Sequence, residues 1–492
     1  MDSSSSSYKS IFKSTFLFGF VRVFQILAGI IKNKVVALLL GPEGVGIIGI
    51  FSSSINLLER GAGLGISQSA VRDISEANGS NNYLRFSHII SLTNKVILFT
   101  CLLGIVVTII LSPYLSKWTF GDNSYTIAYI WLSLVVGLNI LTEGQLAILK
   151  GMRQMRALAK ASLIGSIVGL VTAVPMYYFF GKSGIVPSLV ITAISAVFFS
   201  NFYVRKIKYD KISFTLKQIQ KESSPIVKMG IALMLVGFLG LLFDLLIASY
   251  IRYKDGLETV GFYRAGTTII SSYFGIVIAA MSTDYYPRIS SVFNNNSKLE
   301  IEVSRQSQVG LVLILPIAVL FVFFSPIIMR LLYSNDFINT IFYTDYAVFG
   351  TVIGMLSNCL GMILLAKQEA KIFTTYSTFH YMFFIPIYFL FFDKFGLSGL
   401  GISYLINVLF QFGVYVIIMW KKYHIKLSKN SIVQLIISIL LIYCSLIARN
   451  VDNKVIGYVI GIMILIISGL YSNYYAKKYM NINILEFFKK KF

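Results

Sequence analysis

The chain has 492 residues, of which 56% are hydrophobic and only 13% charged, about half the charged share of a soluble domain. Together with a mean hydropathy of +0.75, this excludes a soluble globular protein. The formal net charge is +22, but the cations follow membrane topology, which excludes nucleic acid as a partner.

In chain order there are about fourteen apolar runs long enough to cross about 30 Å of hydrocarbon. They lie near 11–40, 43–69, 89–112, 125–149, 158–180, 184–204, 227–251, 260–285, 307–332, 343–366, 372–392, 396–420, 431–448 and 455–476. The opening MDSSSSSYKSIFKS lacks a charged region ahead of a cleavage site, so the first run is expected to stay as a membrane helix. Lys and Arg crowd the N-terminus, the loops after even-numbered helices and the C-tail, as in Lys150/Arg156/Lys160 and Lys421/Lys422/Lys426. The positive-inside rule then puts both termini in the cytoplasm.

Polar stripes interrupt the apolar runs. In helix one, Arg22, Gln25, Gly29 and Lys32 recur at spacings of three and four and share a face. The run breaks at Gly41-Pro42, and helix two carries Ser52, Asn56, Arg60, Gly63 and Ser67 with the same spacing. Helix eight repeats the design with Arg264, Thr268, Ser271, Gly275 and Ser282. Small and hydroxyl residues alone would suit close helix packing. Charge in hydrocarbon is costly and usually faces an interior or a watery cavity, so Arg22, Lys32, Arg60 and Arg264 are expected to line one. Such a ring, supported by Gln25, Asn56, Glu59 and Ser271, suits an anionic phosphate and sugar hydroxyls. Glu59 is expected to neutralise a neighbouring cation, and Glu143 and Asp284 fall near helix ends, where water reaches them. Two roles are open to Asp244: pairing with Arg22 or Arg264 across the lobes, or taking up H⁺ or Na⁺ during turnover. The aromatic residues of helix eleven, Tyr376, His380, Tyr381, Phe383, Phe384 and Tyr388, suit lipid-facing, core or sugar-stacking positions.

The halves echo each other. Leu40–Gly46 (LGPEGVG), Ser112-Pro113 and Gly181–Ile185 (GKSGI) recur about 215 positions later as Gly256–Gly261 (GLETVG), Ser325-Pro326 and Gly396–Leu400 (GLSGL). The expected architecture is all-α and integral to the membrane. Two six-helix lobes are related by a pseudo-two-fold axis along the membrane normal, with the substrate route at their interface, and two further helices follow. The divisions are 1–209 for the N-lobe, 210–226 for a basic cytoplasmic linker, 227–424 for the C-lobe, and 425–492 for helices thirteen and fourteen with the basic tail.

Signals for catalysis are missing. Gly181-Lys182-Ser183 looks like the end of a phosphate-binding loop, but Met176 stands where the leading glycine belongs. His88, His380 and His424 are too far apart for a metal spacing. Cys101, Cys359 and Cys444 all fall in apolar runs and are expected to be small buried residues. A non-enzymatic transporter without a cofactor is the expectation.

The run ALLLGPEGVGIIGIF, followed by NLLERGAGLGISQSAVRDIS, resembles Wzx-type O-antigen flippases (O-antigen translocases). These belong to the multidrug/oligosaccharidyl-lipid/polysaccharide exporter superfamily. The resemblance covers all but the last two helices. It implies a two-lobed, V-shaped, MATE-like fold that alternates between inward- and outward-open states. The implied cargo is an undecaprenyl-diphosphate oligosaccharide moved to the periplasmic leaflet of a Gram-negative inner membrane, in contact with membrane lipid and polysaccharide assembly proteins. By resemblance to the lipid II flippase of that superfamily, Lys32 stands where helix one carries an essential arginine. Arg60 matches its second arginine, and Arg264 is the cation nearest its helix-eight position. Glu59 departs from that pattern, replacing an arginine. The competing reading is a multidrug or organic-cation antiporter of the same fold, which needs acids in its binding lobe. An O-antigen polymerase would need a long outer loop, which this chain lacks.

Overall fold

The computed structural model describes residues 2–79, 82–152, 154–367 and 369–480. Among them there are helices and turns only. Nine segments are long and apolar enough to cross a membrane, and Gln25–Ala62, Met155–Val204 and Lys371–Tyr423 each hold two of the apolar runs. The protein is a multi-pass membrane protein of all-α fold.

A first compact unit runs to Gly261. It holds α1 (Asp2–Ala62), α2 (Ile66–Gly79), α3 (Tyr83–Phe120), α4 (Thr126–Gly151), α5 (Met155–Phe180), α6 (Ile185–Val204) and most of α7 (Leu216–Thr268). Helix α2 is amphipathic. Its buried Ile66, Ser69, Ala70, Ile74 and Ala77 recur every three or four residues, placing one face on the ends of its neighbours. There Ile74 packs with Phe86, Ile90, Ile148, Leu149 and Leu158. Before α7, residues 209–212 dock on α3. Asp210 N–H donates to Ser87 Oγ at 3.1 Å, and Asn94 Nδ2 donates to the Tyr209 hydroxyl at 3.1 Å.

The second unit starts at Phe262. After a π-helical turn (Ile269–Phe274) come α8 (Gly275–Ser291), α9 (Asn296–Leu332), α10 (Thr340–Ala366), α11 (Ala370–Tyr423), α12 (Lys429–Arg449) and α13 (Lys454–Met480). The two helices outside the duplication, α12 and α13, pack on α9. Ser445 Oγ donates to the Val319 carbonyl at 3.1 Å.

The duplicated loops share backbone geometry. Gly41 (φ 66, ψ −171) breaks α1 and Gly256 (φ 84, ψ −177) breaks α7, while Gly181 (φ 55, ψ −133) and Gly396 (φ 58, ψ −136) form the other pair. All four lie in the left-handed half of backbone space, which only glycine enters without strain. Within the first unit, α1 and α7 meet backbone to backbone in a reciprocal way. A Cβ on Gly46 would fall 2.1 Å from the Leu257 carbonyl oxygen, and one on Gly261 would fall 1.9 Å from that of Pro42.

One detail departs from the sequence reading, at Cys444, and the aromatics of α11 fall among the positions expected for them. Cys101 and Cys359 are buried as expected, but Cys444 is exposed, because it faces outward from α12. In α11, His380, Phe384 and Tyr388 are buried core residues, with His380 Nδ1 3.1 Å from the Tyr376 hydroxyl, while Phe383 is exposed.

Candidate functional site

The second half of α1 ends at a turn in which Leu64 (φ 50) and Gly65 (φ 63) are left-handed. A Cβ on Gly65 would fall 2.2 Å from the Gly230 carbonyl oxygen, so the turn closes directly on the α7 backbone. Beside it lies a cavity of about 520 Å³. Helix α1 contributes Asn56, Glu59 and Arg60, and the turn and α2 contribute Gly63, Ser67 and Gln68. Thr100 comes from α3, Glu143 and Lys150 from α4, and Leu241 from α7.

The one-turn spacing of Asn56, Glu59 and Arg60 puts all three on the cavity side. Asn139, one turn before Glu143 on α4, is hydrogen-bonded to the Glu59 carboxylate. Lys150 Nζ lies 4.0 Å from Glu143 Oε2, both side chains being about half exposed. The Arg60 guanidinium lies flat on α7, where a Cβ at Gly237 would sit 2.9 Å from Nη2 and 3.0 Å from Nε. The charged lining is therefore Arg60 and Lys150 against Glu59 and Glu143. It is formally balanced rather than purely cationic.

Of the other residues named from sequence, Arg22 is among those whose side chains lie outside the described residues. Gln25 and Lys32 are half-buried in the first half of α1, away from the cavity lining. Asp244 accepts a hydrogen bond from Ser53 Oγ at 2.7 Å across the α1–α7 contact. Arg264 and Ser271 belong to the second unit. Arg264 Cζ is 6.0 Å from the Tyr263 ring centre, and Ser271 Oγ donates to the Thr267 carbonyl at 2.6 Å. Thr268 and Ser282 also donate to carbonyls of their own helix, so this hydroxyl stripe is satisfied locally.

Ser67, named in the helix-two stripe, reaches the cavity beside Gln68, and both sit inside the motif that carries the family resemblance. Thr100 had no local signal and Lys150 was read only as a topological cation, because α3 and α4 supply them from far along the chain. Glu143 was expected to meet solvent; it does so while lining the cavity.

Chemically, Arg60 and Lys150 offer donors for anionic oxygens. The carboxylates, amides and hydroxyls offer acceptors and donors for sugar hydroxyls. A larger hollow of about 610 Å³ in the same unit is lined by Ile47, Phe51, Trp131, Pro187 and Val190, and its Lys182 is ion-paired with Glu43. Its walls suit apolar chains rather than phosphate.

A family model described as polysaccharide biosynthesis protein matches residues 11–293, more than half of the chain and all of the cavity lining. The chain belongs to this polysaccharide biosynthesis family. Within reach of it, the lipid III flippases of Escherichia coli (strain K12) and Shigella flexneri are each 23% identical over 369 residues, covering 71% of this chain and 83% of theirs. Two solved structures share the fold of this family member at 15% identity. One is the lipid II flippase MurJ in an inward closed conformation, with TM-score 0.71 over 95% of this chain and 100% of that one. The other is an inward-facing multidrug resistance MATE family transporter of the MOP superfamily, with TM-score 0.67 over 87% and 98%.

Proposed function

We propose that this member of the polysaccharide biosynthesis family is a flippase. Its cargo is an O-antigen oligosaccharide on undecaprenyl diphosphate, moved from the cytoplasmic to the periplasmic leaflet of a Gram-negative inner membrane by alternating access. The observation that carries the reading is a polar cavity holding Arg60 and Lys150 in an otherwise apolar helical unit. A diphosphate leaving the headgroup region loses solvation, and a hydrated cavity with fixed cations replaces it. Asn56, Gln68, Ser67 and Thr100 then meet the first sugars, while the polyprenyl chain stays in lipid. Transport is coupled to an H⁺ or Na⁺ gradient or to voltage, with Asp244 as the residue that takes up the ion. The relatives named lipid III flippase lend support, since they match 71% of this chain.

The test is complementation of a flippase-deleted Gram-negative strain, scored by surface polysaccharide. The parent chain is expected to restore polysaccharide and Arg60→Ala to lower it at least about tenfold, the loss of one charge-assisted contact. Full restoration by Arg60→Ala would reject the cavity as the cargo site. Failure of the parent across several sugar types would reject the cargo.

The second reading, an organic-cation antiporter, is favoured by Glu59 and Glu143 lining the same cavity. It predicts drug resistance on expression and no polysaccharide.

A further inference from the structure

In the second unit, α9, α12 and α13 enclose a cleft of about 300 Å³. Its lining includes three cations: Arg330 from the last turn of α9, Arg449 from the last turn of α12, and Lys454, which opens α13. Phe323, Phe324 and Tyr458 form an aromatic wall, with Phe323 and Tyr458 edge to face at 5.9 Å.

The cleft is rigidly built. Arg449 is held by Asp345 in a bidentate pair, Nη1 to Oδ1 at 2.8 Å and Nη2 to Oδ2 at 2.5 Å. Nη1 also donates to Ser325 Oγ at 2.6 Å and to the Val322 carbonyl at 3.2 Å. A Cβ on Gly461 would fall 1.9 Å from a Phe323 ring carbon, so α13 sits tightly against the aromatic wall.

Helix C-termini favour cations, which accounts for the placing of Arg330 and Arg449. It does not account for Lys454. That residue stands at a helix N-terminus, the end at which a positive charge is disfavoured. A negative group in the cleft would offset that cost and bridge Lys454 and Arg330, beside an Arg449 already paired with Asp345. The outer flank is apolar: Ile327, Leu331, Val455 and Tyr458 are 50%, 71%, 73% and 48% exposed. A ligand seated here would have an anionic head and an oily body.

We propose that this cleft binds the phosphodiester head of an anionic phospholipid, whose acyl chains lie along the exposed faces of α9 and α13. Basic pockets between membrane helices take such headgroups, and interfacial tyrosine suits the same depth. This gives α12 and α13 a role that the duplicated helices do not supply. It does not depend on which cargo the first unit carries.

The test uses the full chain in detergent micelles doped with phosphatidylglycerol or phosphatidylcholine, with bound lipid read by native mass spectrometry. Phosphatidylglycerol is expected to bind more tightly than phosphatidylcholine. The double variant Arg330→Gln/Lys454→Gln should weaken phosphatidylglycerol about 30-fold, the loss expected for two interfacial cations, and leave phosphatidylcholine unchanged. Lys454→Glu, at an exposed position, carries the same test should the double variant not fold. Millimolar inorganic phosphate should not displace the lipid. Equal binding of the two lipids, unchanged phosphatidylglycerol affinity in the variants, or displacement by phosphate would each overturn the assignment.

Discussion

The α1–α7 contact gives a prediction whose size follows from geometry. In Gly261→Ala the new methyl would start 1.9 Å from the Pro42 carbonyl oxygen, 2.7 Å from its carbon and 3.1 Å from its Cα. These are backbone atoms, so no side chain can swing aside. Reaching ordinary contact requires the helices to part by roughly 1.5 Å, in an interior packed with little slack. Overpacking of this kind costs about 1–3 kcal/mol, offset by about 1 kcal/mol from alanine's better helix propensity. The net loss is about 0–2 kcal/mol, up to a few degrees in thermal unfolding of a chain this large, and about 1–3 kcal/mol relative to a Gly→Ala change that meets no clash. Gly413→Ala, where nothing lies within 4 Å, has only the propensity gain and serves as the control. Both variants would be followed by thermal unfolding of the purified chain. If Gly261→Ala proved as stable as Gly413→Ala, the close approach of α1 and α7 would be wrong.

Gly237→Ala should separate the position of Arg60 from stability: the three atoms nearest its Cβ all belong to the flexible guanidinium, so unfolding should shift no further than in Gly413→Ala while surface polysaccharide falls. Arg449→Met leaves Asp345 charged and its partner gone, with both side chains under 15% exposed. Breaking such a pair costs about 3–5 kcal/mol, and thermal unfolding should show Arg449→Met/Asp345→Leu recovering most of it. The Lys422 ammonium and then the Tyr423 hydroxyl hold the Glu369 carboxyl below its ordinary 4.5. A depressed folded value gives stability that is complete above about pH 4.5 and lost as pH falls through the folded pKa. Glu369→Gln should therefore flatten the acid limb of a Tm-against-pH profile.

Much of the fold was legible because membrane helices need long apolar runs and breaks need special residues. The repeated loops around Gly41, Gly181, Gly256 and Gly396 stood out in sequence, and all four proved to have positive φ. Where one run continues into the next, as at Gly41 and Gly396, helices join across a single glycine, so loop length carried no warning. Arg60, Glu59 and Asn56 were legible as a site because one helix turn puts them together. The other half of the cavity was not. Glu143 and Lys150 lie on α4, and only the packing of α3 and α4 beside α1 brings them to Arg60. That packing also explains why the cations in the sequence suggested a positive hollow while the lining is balanced.

The balance matters most at Glu143. At 4.0 Å the Lys150–Glu143 attraction would be about 4 kcal/mol at an effective dielectric of 20. Both groups are about half exposed, however, and solvent-screened pairs of this kind are worth about 0–1 kcal/mol. Glu143→Gln should thus leave unfolding nearly unchanged while tilting the cavity toward positive potential. For a diphosphate cargo that tilt strengthens loading, so polysaccharide should be kept or rise by up to about fivefold, the rate equivalent of 1 kcal/mol. For an organic-cation cargo the same change removes an acceptor of positive charge, and resistance should fall. The two readings of the cavity move in opposite directions on one substitution. A loss of polysaccharide in a stably folded Glu143→Gln chain would show that the carboxylate is needed for transport, contrary to the anion-binding account.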